Sequence, residues 1–371
     1  MFGSALGGGA TSGVFGGSSA TAMAKNSNTN NSTEVPSCPT DTISDLRWAP
    51  NANYLAGASW DKQVRIWEVH PSMGGNTCTA TARVSYSHDA PVLSCAFSND
   101  GLNVFSAGCD NKLKAYSLQA QRDQVIGQHD MPISSVHWVE EIKMVVTAGW
   151  DRTIRFWNGQ SPTPVLTLQL PERCYSMDIK YPLLVAACAE KHVVVYNLQT
   201  IQHNTNPYKA LQSALRLQTR TVSCFPDKTG FAIGSIEGRV SIAHVEENMK
   251  EKNFAFKCHR TTDEIYPVNS IDFHPFYHES FSTAGGDGTF VFWDKAAKQK
   301  LKGFNNCNYP ITASRFNGKG DLFAYAVGYD WSKGFEHNQA NIPKKVYIHC
   351  VQEPDIKPKP GTGLNAFPKR R

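Results

Sequence analysis

Residues 149–159 read GWDRTIRFWNG, with Asp151 six places ahead of Trp157 and apolar residues alternating between them. The same spacing joins Asp61 to Trp67, Asp110 to Tyr116, Glu190 to Tyr196 and Asp287 to Trp293. Two weaker copies keep the rhythm: Glu237 ahead of Ala243, and Asp330, whose counterpart His349 is delayed by an insertion between Trp331 and Lys345. The acidic position recurs seven times, at 61, 110, 151, 190, 237, 287 and 330.

A period in the forties with four short strands per unit marks a β-propeller of the WD-repeat type. In the third unit PISSVHW and KMVVTAG are β-branched runs, Trp150 and Asp151 make the turn, and TIRFWN and PVLTLQ supply the remaining strands. The acid therefore sits between the second and third strands. We expect an all-β, seven-bladed WD-repeat propeller over residues 34–351. It is flanked by a disordered Gly/Ser/Asn-rich tail at 1–33 and a basic Pro/Gly-rich tail at 352–371, both too poor in apolar residues to bury a core. After Val351 the run PDIKPKPGTG does not read as a strand. The seventh sheet is expected to borrow its outer strand from TEVPSCP, near 33–39, since an open ring exposes two sheet edges.

In WD-repeat proteins a His, Ser/Thr, Asp and Trp set forms a buried hydrogen-bonded chain. Here the matching sets are His88, Ser106, Asp110 and Tyr116; His129, Thr147, Asp151 and Trp157; and Thr283, Asp287 and Trp293. Such a His–Asp pair resembles a hydrolase relay. The set is copied with the repeat and drifts within it, with Tyr116 replacing Trp and Ala186 replacing Ser/Thr, so the reading is structural. No catalytic residue, cofactor or small-molecule substrate is expected, and the protein is read as a non-enzyme. Cys258 and His259 have no partner at zinc-site spacing.

Lysine and arginine number 37 against 32 acids, but the five basic residues from Lys357 onward have no acid among them, so the remainder is balanced. Any anion-binding role must come from local patches. Ten scattered cysteines without a CxxC pair read as reduced core thiols of an intracellular protein. The N-terminus lacks the features of a secretory leader and no run of 18 apolar residues occurs, so no membrane insertion is expected.

More specific than the fold are LPERCYSMD (170–178), IGSIEGRV (233–240), NFAFKCHR (253–260), YPVNSIDFHP (266–275), GGDGTFVFWDK (285–295) and FAYAVGYDWSKG (323–334). These phrases resemble the WD-repeat messenger-RNA export factors of the nuclear pore, the RAE/GLE family, over about Thr40 to Val351. Phe2-Gly3 and Phe15-Gly16 in the N-terminal tail resemble FG segments of nucleoporins. The resemblance implies an adaptor that binds a GLEBS-type segment of an FG nucleoporin. It further implies messenger ribonucleoprotein as cargo, and residence at the nuclear pore complex, nucleus and nuclear envelope with shuttling to the cytoplasm. Two alternatives stay open. One is the sister BUB-type spindle-checkpoint adaptor. The other is a ubiquitin-ligase substrate receptor, although Trp293-Asp294-Lys295-Ala296 lacks the arginine of the WDxR phrase.

Loops on a rigid scaffold carry function, and two insertions, TTDEIYP (261–267) and WSKGFEHNQANIPK (331–344), fall on the side of the acidic turns. On that side Trp60, Trp150, Tyr329 and Trp331 are expected to form an aromatic platform. Arg173, Arg239 and Lys191, with Lys62 and Arg152 nearby, would receive acidic residues of the nucleoporin segment. A second patch, Phe256, Lys257, Trp293, Lys298 and Lys300, interleaves aromatics with lysine as single-stranded RNA contact requires.

Overall fold

Each acidic residue closes the turn that joins a second strand to a third. The computed structural model of the chain describes residues 30–72 and 74–358. Asp61, Asp110, Asp151, Asp287 and Asp330 each accept a hydrogen bond from the backbone N–H two residues on, at 3.1 to 3.2 Å. This Asx turn places the intervening residue in the left-handed region. Lys62, Asn111, Arg152, Gly288 and Trp331 accordingly have φ between 62° and 76°, and Lys191 and Gly238, which follow glutamates, adopt the same region at 64° and 61°.

These turns organise seven antiparallel four-stranded sheets, a seven-bladed β-propeller. Blade 3 is representative, with strands Ile133–Val139, Met144–Gly149, Thr153–Trp157 and Leu166–Gln169 running from the inside outward. Alternation along each strand sends apolar side chains into the seams between blades. Between blades 3 and 4, for example, Ile154, Phe156, Leu168, Met177, Leu184 and Tyr196 pack in one buried cluster. In blade 7 the chain supplies only Ile311–Phe316, Leu322–Val327 and Lys345–Cys350. Its outer strand is Thr33–Glu34, with Thr33 opposite Ile348 and Glu34 opposite Tyr347. All ten cysteines are free thiols, seven of them buried.

At both ends ordered packing reaches into stretches expected to be tail. Asn30 is buried and exchanges amide hydrogen bonds with Asn305 at 3.0 and 2.9 Å, and the Tyr325 hydroxyl reaches Ser32 at 3.1 Å. Past Val351, the helical turn Glu353–Ile356 buries Ile356, whose carbonyl accepts from Ser280 at 2.7 Å. One apolar residue and a few capping bonds anchor what composition alone reads as linker. The two FG dipeptides lie outside the described residues.

The inner strands bury titratable groups. Asp45 pairs with Arg47 at 3.2 Å, and His137 donates from Nε2 to the Met177 carbonyl at 2.8 Å. Burial, helped by the nearby Arg47 charge, pushes the His137 pKa down to about 4. Its unfolded value is the higher one, so between pH 6.5 and 4 the unfolded chain binds more protons and stability falls as pH falls. This group alone is expected to cost about 2 kcal/mol on going from pH 7 to pH 5. His137→Gln should flatten the pH dependence of the denaturation midpoint by that amount, and an unchanged slope would contradict it.

Candidate functional site

The hydrogen-bonded sets are the scaffold of the loops. In blade 3, His129 bonds Asp151 through Nδ1 at 2.9 Å and Thr147 through Nε2 at 2.7 Å, and the Trp157 indole donates to Thr147 at 2.8 Å. Burial pushes the Asp151 carboxyl up, but the His129 and Thr153 bonds outweigh it and hold it down at about 2. Blade 6 repeats the chain with His259, Asp287, Thr283 and Trp293 at 2.8 to 2.9 Å. His259, considered above only as a metal ligand, is thus the histidine of this set. It stands 28 residues before its acid, where His88 and His129 stand 22 before theirs, because the TTDEIYP insertion intervenes.

Blade 2 departs from expectation. His88 joins Asp110 and Ser106, each at 2.8 Å, but the hydroxyl that reaches Ser106 comes from Tyr86, also at 2.8 Å. Tyr116 contributes its ring, stacked on Tyr86 at 4.6 Å.

Removing the shared hydroxyl of blade 3 leaves the buried Trp157 indole N–H and His129 Nε2 without a partner. Thr147→Val is expected to cost roughly 2 to 4 kcal/mol. It should lower the melting temperature by several degrees while leaving the surface loops able to bind. A melt matching wild type would show that the chain carries no stability.

The top face, defined by the acidic turns, converges on the channel mouth. In every blade the pairing of the first two strands skips one residue: Ser44, Leu93, Ser134, Tyr175, Arg220, Asn269 and Thr312. A bulge re-aims its side chain, and these seven line a cavity of about 370 Å³ at the mouth. Four of them stitch blade to blade. Ser44 donates to the Val92 carbonyl at 2.6 Å, Ser134 to Cys174 at 2.8 Å, Asn269 to Ile311 at 3.0 Å and Thr312 to Ile43 at 2.7 Å.

Three of the expected aromatics meet above this ring. Trp60, Trp150 and Trp331 all line the cavity, with Trp60 and Trp331 packed at 4.6 Å across the seam of blades 1 and 7. Trp331 holds φ 62°, a conformation that bulky residues adopt at a cost. Tyr329 is a strut instead of a platform member. It is buried, its hydroxyl donating to the Gly334 carbonyl at 2.8 Å and accepting from the Lys333 N–H at 2.9 Å.

The cations divide. Arg173 is exposed and lies 5.8 Å from the ring centroid of Tyr175, a mouth residue absent from the sequence-based set. Arg239 faces its own turn acid, Glu237, at 3.5 Å, so its guanidinium is partly engaged. Lys62, Arg152 and Lys191 occupy the left-handed turn positions of blades 1, 3 and 4.

The proposed RNA patch loses its stacking surface. Phe256 is buried 4.8 Å from Trp293, and Trp293 is itself buried with its indole on Thr283. Strand alternation turns both rings into the seam of blades 5 and 6. Lys257, Lys298 and Lys300 stay exposed, and Lys298 Nζ rests 4.8 Å from the Phe254 ring centroid.

The WD domain, G-beta repeat family matches residues 31–68, 78–117, 121–158 and 250–294. These are blades 1, 2, 3 and 6, the copies that keep an aspartate with an aromatic six residues on, where blade 4 has Glu190 in its place. The chain is 45% identical over 359 residues to the mRNA export factor GLE2 of Chaetomium thermophilum, covering 94% of this chain and 98% of that protein. It is 43% identical over 337 residues to the Poly(A)+ RNA export protein of Schizosaccharomyces pombe, with 89% and 93% covered. With Protein RAE1 of Arabidopsis thaliana it shares 45% over 340 residues, covering 91% and 96%. A seven-bladed propeller carrying these repeats, aligned along nearly its whole length with such relatives, belongs to the RAE/GLE family of WD-repeat messenger-RNA export factors.

Proposed function

We propose that the protein is a non-enzymatic adaptor that docks a GLEBS-type segment of an FG nucleoporin across its top face and thereby serves messenger-RNA export at the nuclear pore. The observation that carries this reading is the meeting of Trp60, Trp150 and Trp331 over the channel mouth, with Trp331 kept in a costly backbone conformation. Strain of this kind gathers at functional sites. Rigid aromatic anchors of low conformational entropy dominate peptide interfaces. Arg173, beside Tyr175, is the exposed cation best placed to meet an acidic residue of the segment. Arg239 and Lys191 would act from the turns of blades 5 and 4, Arg239 only by exchanging Glu237 for the incoming carboxylate.

Contact with messenger ribonucleoprotein at the side of blades 5 and 6 would rest on Lys257, Lys298 and Lys300 acting on phosphates, without base stacking. On this reading the protein works at the nuclear envelope and within the nucleus, shuttling to the cytoplasm with its cargo.

Affinity purification of the full-length chain from its native cells tests the adaptor role. The main bound chain should be an FG nucleoporin, and it should be lost with Trp60→Ala/Trp150→Ala while the variant stays folded. Recovery of a checkpoint kinase or a ubiquitin-ligase subunit in its place would overturn the reading.

A further inference from the structure

Cys78 and Cys350 meet across the seam where the ring closes. Cys78 opens the outer strand of blade 1, Cys78–Ser87, and Cys350 ends the third strand of blade 7, Lys345–Cys350. Far apart in the chain, both sit in the buried cluster that joins these two blades, with Val35, Leu46, Trp67 and Ile348. The contact is clamped from two sides. Thr33 of the closing strand donates to the Cys78 carbonyl at 2.9 Å, and the Gln352 amide donates to the carbonyls of Gly75 at 3.4 Å and Cys350 at 3.3 Å. Between these clamps the Cys350 thiol donates a hydrogen bond to the Cys78 sulfur.

That bond makes the two sulfurs unequal. It holds the Cys78 thiol down at about 7, with Thr33 helping and burial opposing, while the same bond and burial push Cys350 well up. The thiolate is the nucleophile of sulfur chemistry, and an adjacent thiol resolves its first oxidation product. The two side chains are 5% and 7% exposed, and Thr77, Thr79 and Gln352 beside them in the chain are exposed, so the pair lies at the outer end of the seam. Blade 4 supplies a contrast. Cys174 and Cys188 face each other across its first two strands, but both are 0% exposed, and the bond to Cys188 together with burial pushes the Cys174 thiol far up.

We propose that Cys78 and Cys350 form an oxidation site that hydroperoxides convert to a disulfide, sealing the ring at its closing seam. The Cys78 thiolate attacks one oxygen of hydrogen peroxide and the O–O bond breaks. The other oxygen leaves as hydroxide and takes up the proton that Cys78 gave up, forming water. The Cys350 sulfur then attacks the Cys78 sulfenic acid: the S–S bond forms, the S–O bond breaks, and the departing hydroxide joins the Cys350 proton as a second water. Two thiols and one peroxide thus give one disulfide and two waters. The bond closes a loop from residue 78 to residue 350, nearly the whole propeller, and long loops are where a cross-link most restricts the unfolded chain. It reinforces the seam that the two-residue strand Thr33–Glu34 otherwise completes.

The test is peptide mapping of the full chain after treatment with hydrogen peroxide near neutral pH, with the remaining thiols alkylated before digestion. A cross-linked pair of peptides holding Cys78 and Cys350 should appear first, with Cys174 and Cys188 still reduced. Oxidised wild type should melt several degrees above reduced wild type, and dithiothreitol should reverse both changes. Cys350→Ser removes the resolving thiol, so Cys78 should accumulate a sulfenic acid that dimedone traps, with no rise in melting temperature. Cys78→Ser should leave Cys350 a free thiol. The wild-type map and melt decide the matter even if Cys350→Ser or Cys78→Ser unfolds the ring. Recovery of Cys78 and Cys350 as free thiols, a first disulfide elsewhere, or a cross-linked protein that melts no higher would overturn the proposal.

Discussion

A chain beginning at Thr40 is expected to lose the folded ring, while one beginning at Asn30 keeps it. The segment between them does several things at once. Thr33 and Glu34 complete the outer edge of blade 7, the Val35 N–H donates to the Val346 carbonyl at 3.0 Å, and Glu34 pairs with Lys345. Thr33 also reaches the neighbouring blade, donating to the Cys78 carbonyl at 2.9 Å. The Trp67 indole of blade 1 donates to the Pro36 carbonyl at 2.7 Å. Val35 is buried among Leu46, Val346 and Ile348. Burial of one valine contributes roughly 1.5 to 3 kcal/mol. An orphaned buried indole costs about 1 to 3 kcal/mol more. Lost ladder bonds and an exposed edge add to this, so the sum approaches the whole stability of an ordinary domain, roughly 5 to 15 kcal/mol. Thermal melts of the two truncations should differ by well over about 10 °C, or the shorter chain should aggregate through its open edge. Matching melts would remove the closing strand from the account.

The second large effect separates binding from stability at one residue. Trp331 occupies the left-handed position that Gly238 and Gly288 fill in blades 5 and 6. Trp331→Gly relieves a conformation worth roughly 1 to 2 kcal/mol of strain. It also gives up the stack on Trp60, worth about 0.5 to 1.5 kcal/mol, and some burial. The melting temperature should therefore stay within a few degrees of wild type. Loss of a central aromatic anchor costs 2 kcal/mol or more, so affinity for the nucleoporin segment should fall by at least roughly thirtyfold. A purely structural Trp331 gives the opposite pattern, a lower melt with unchanged affinity.

The repeat was legible because the same local chemistry, an aspartate accepting from the N–H two residues on, recurs at five of the seven turns. The sets in blades 3 and 6 followed from spacing, except His259, which an insertion displaced. What spacing could not convey was which residue the pairing skips. Ser44, Leu93, Ser134, Tyr175, Arg220, Asn269 and Thr312 share no residue type, so the ring around the mouth becomes visible only in the strand register. Arg220 and Tyr175 were missed for that reason. Phe256 misled for a related one: in FAFK an aromatic reads equally well as platform or core, and the seam between blades decides. Tyr329 was expected in the platform, but it is buried and its hydroxyl is consumed in bracing the Trp331 loop.

The most direct measurement is fluorine NMR of the full chain labelled with fluorotryptophan, before and after addition of the GLEBS-type segment. The protein holds eight tryptophans. Trp67, Trp157 and Trp293 are locked in the blades, and Trp48 and Trp138 do not line the mouth. The account predicts that Trp60, Trp150 and Trp331 move together and saturate with one affinity while those five hold still. Binding that leaves these three unmoved would contradict docking across the top face.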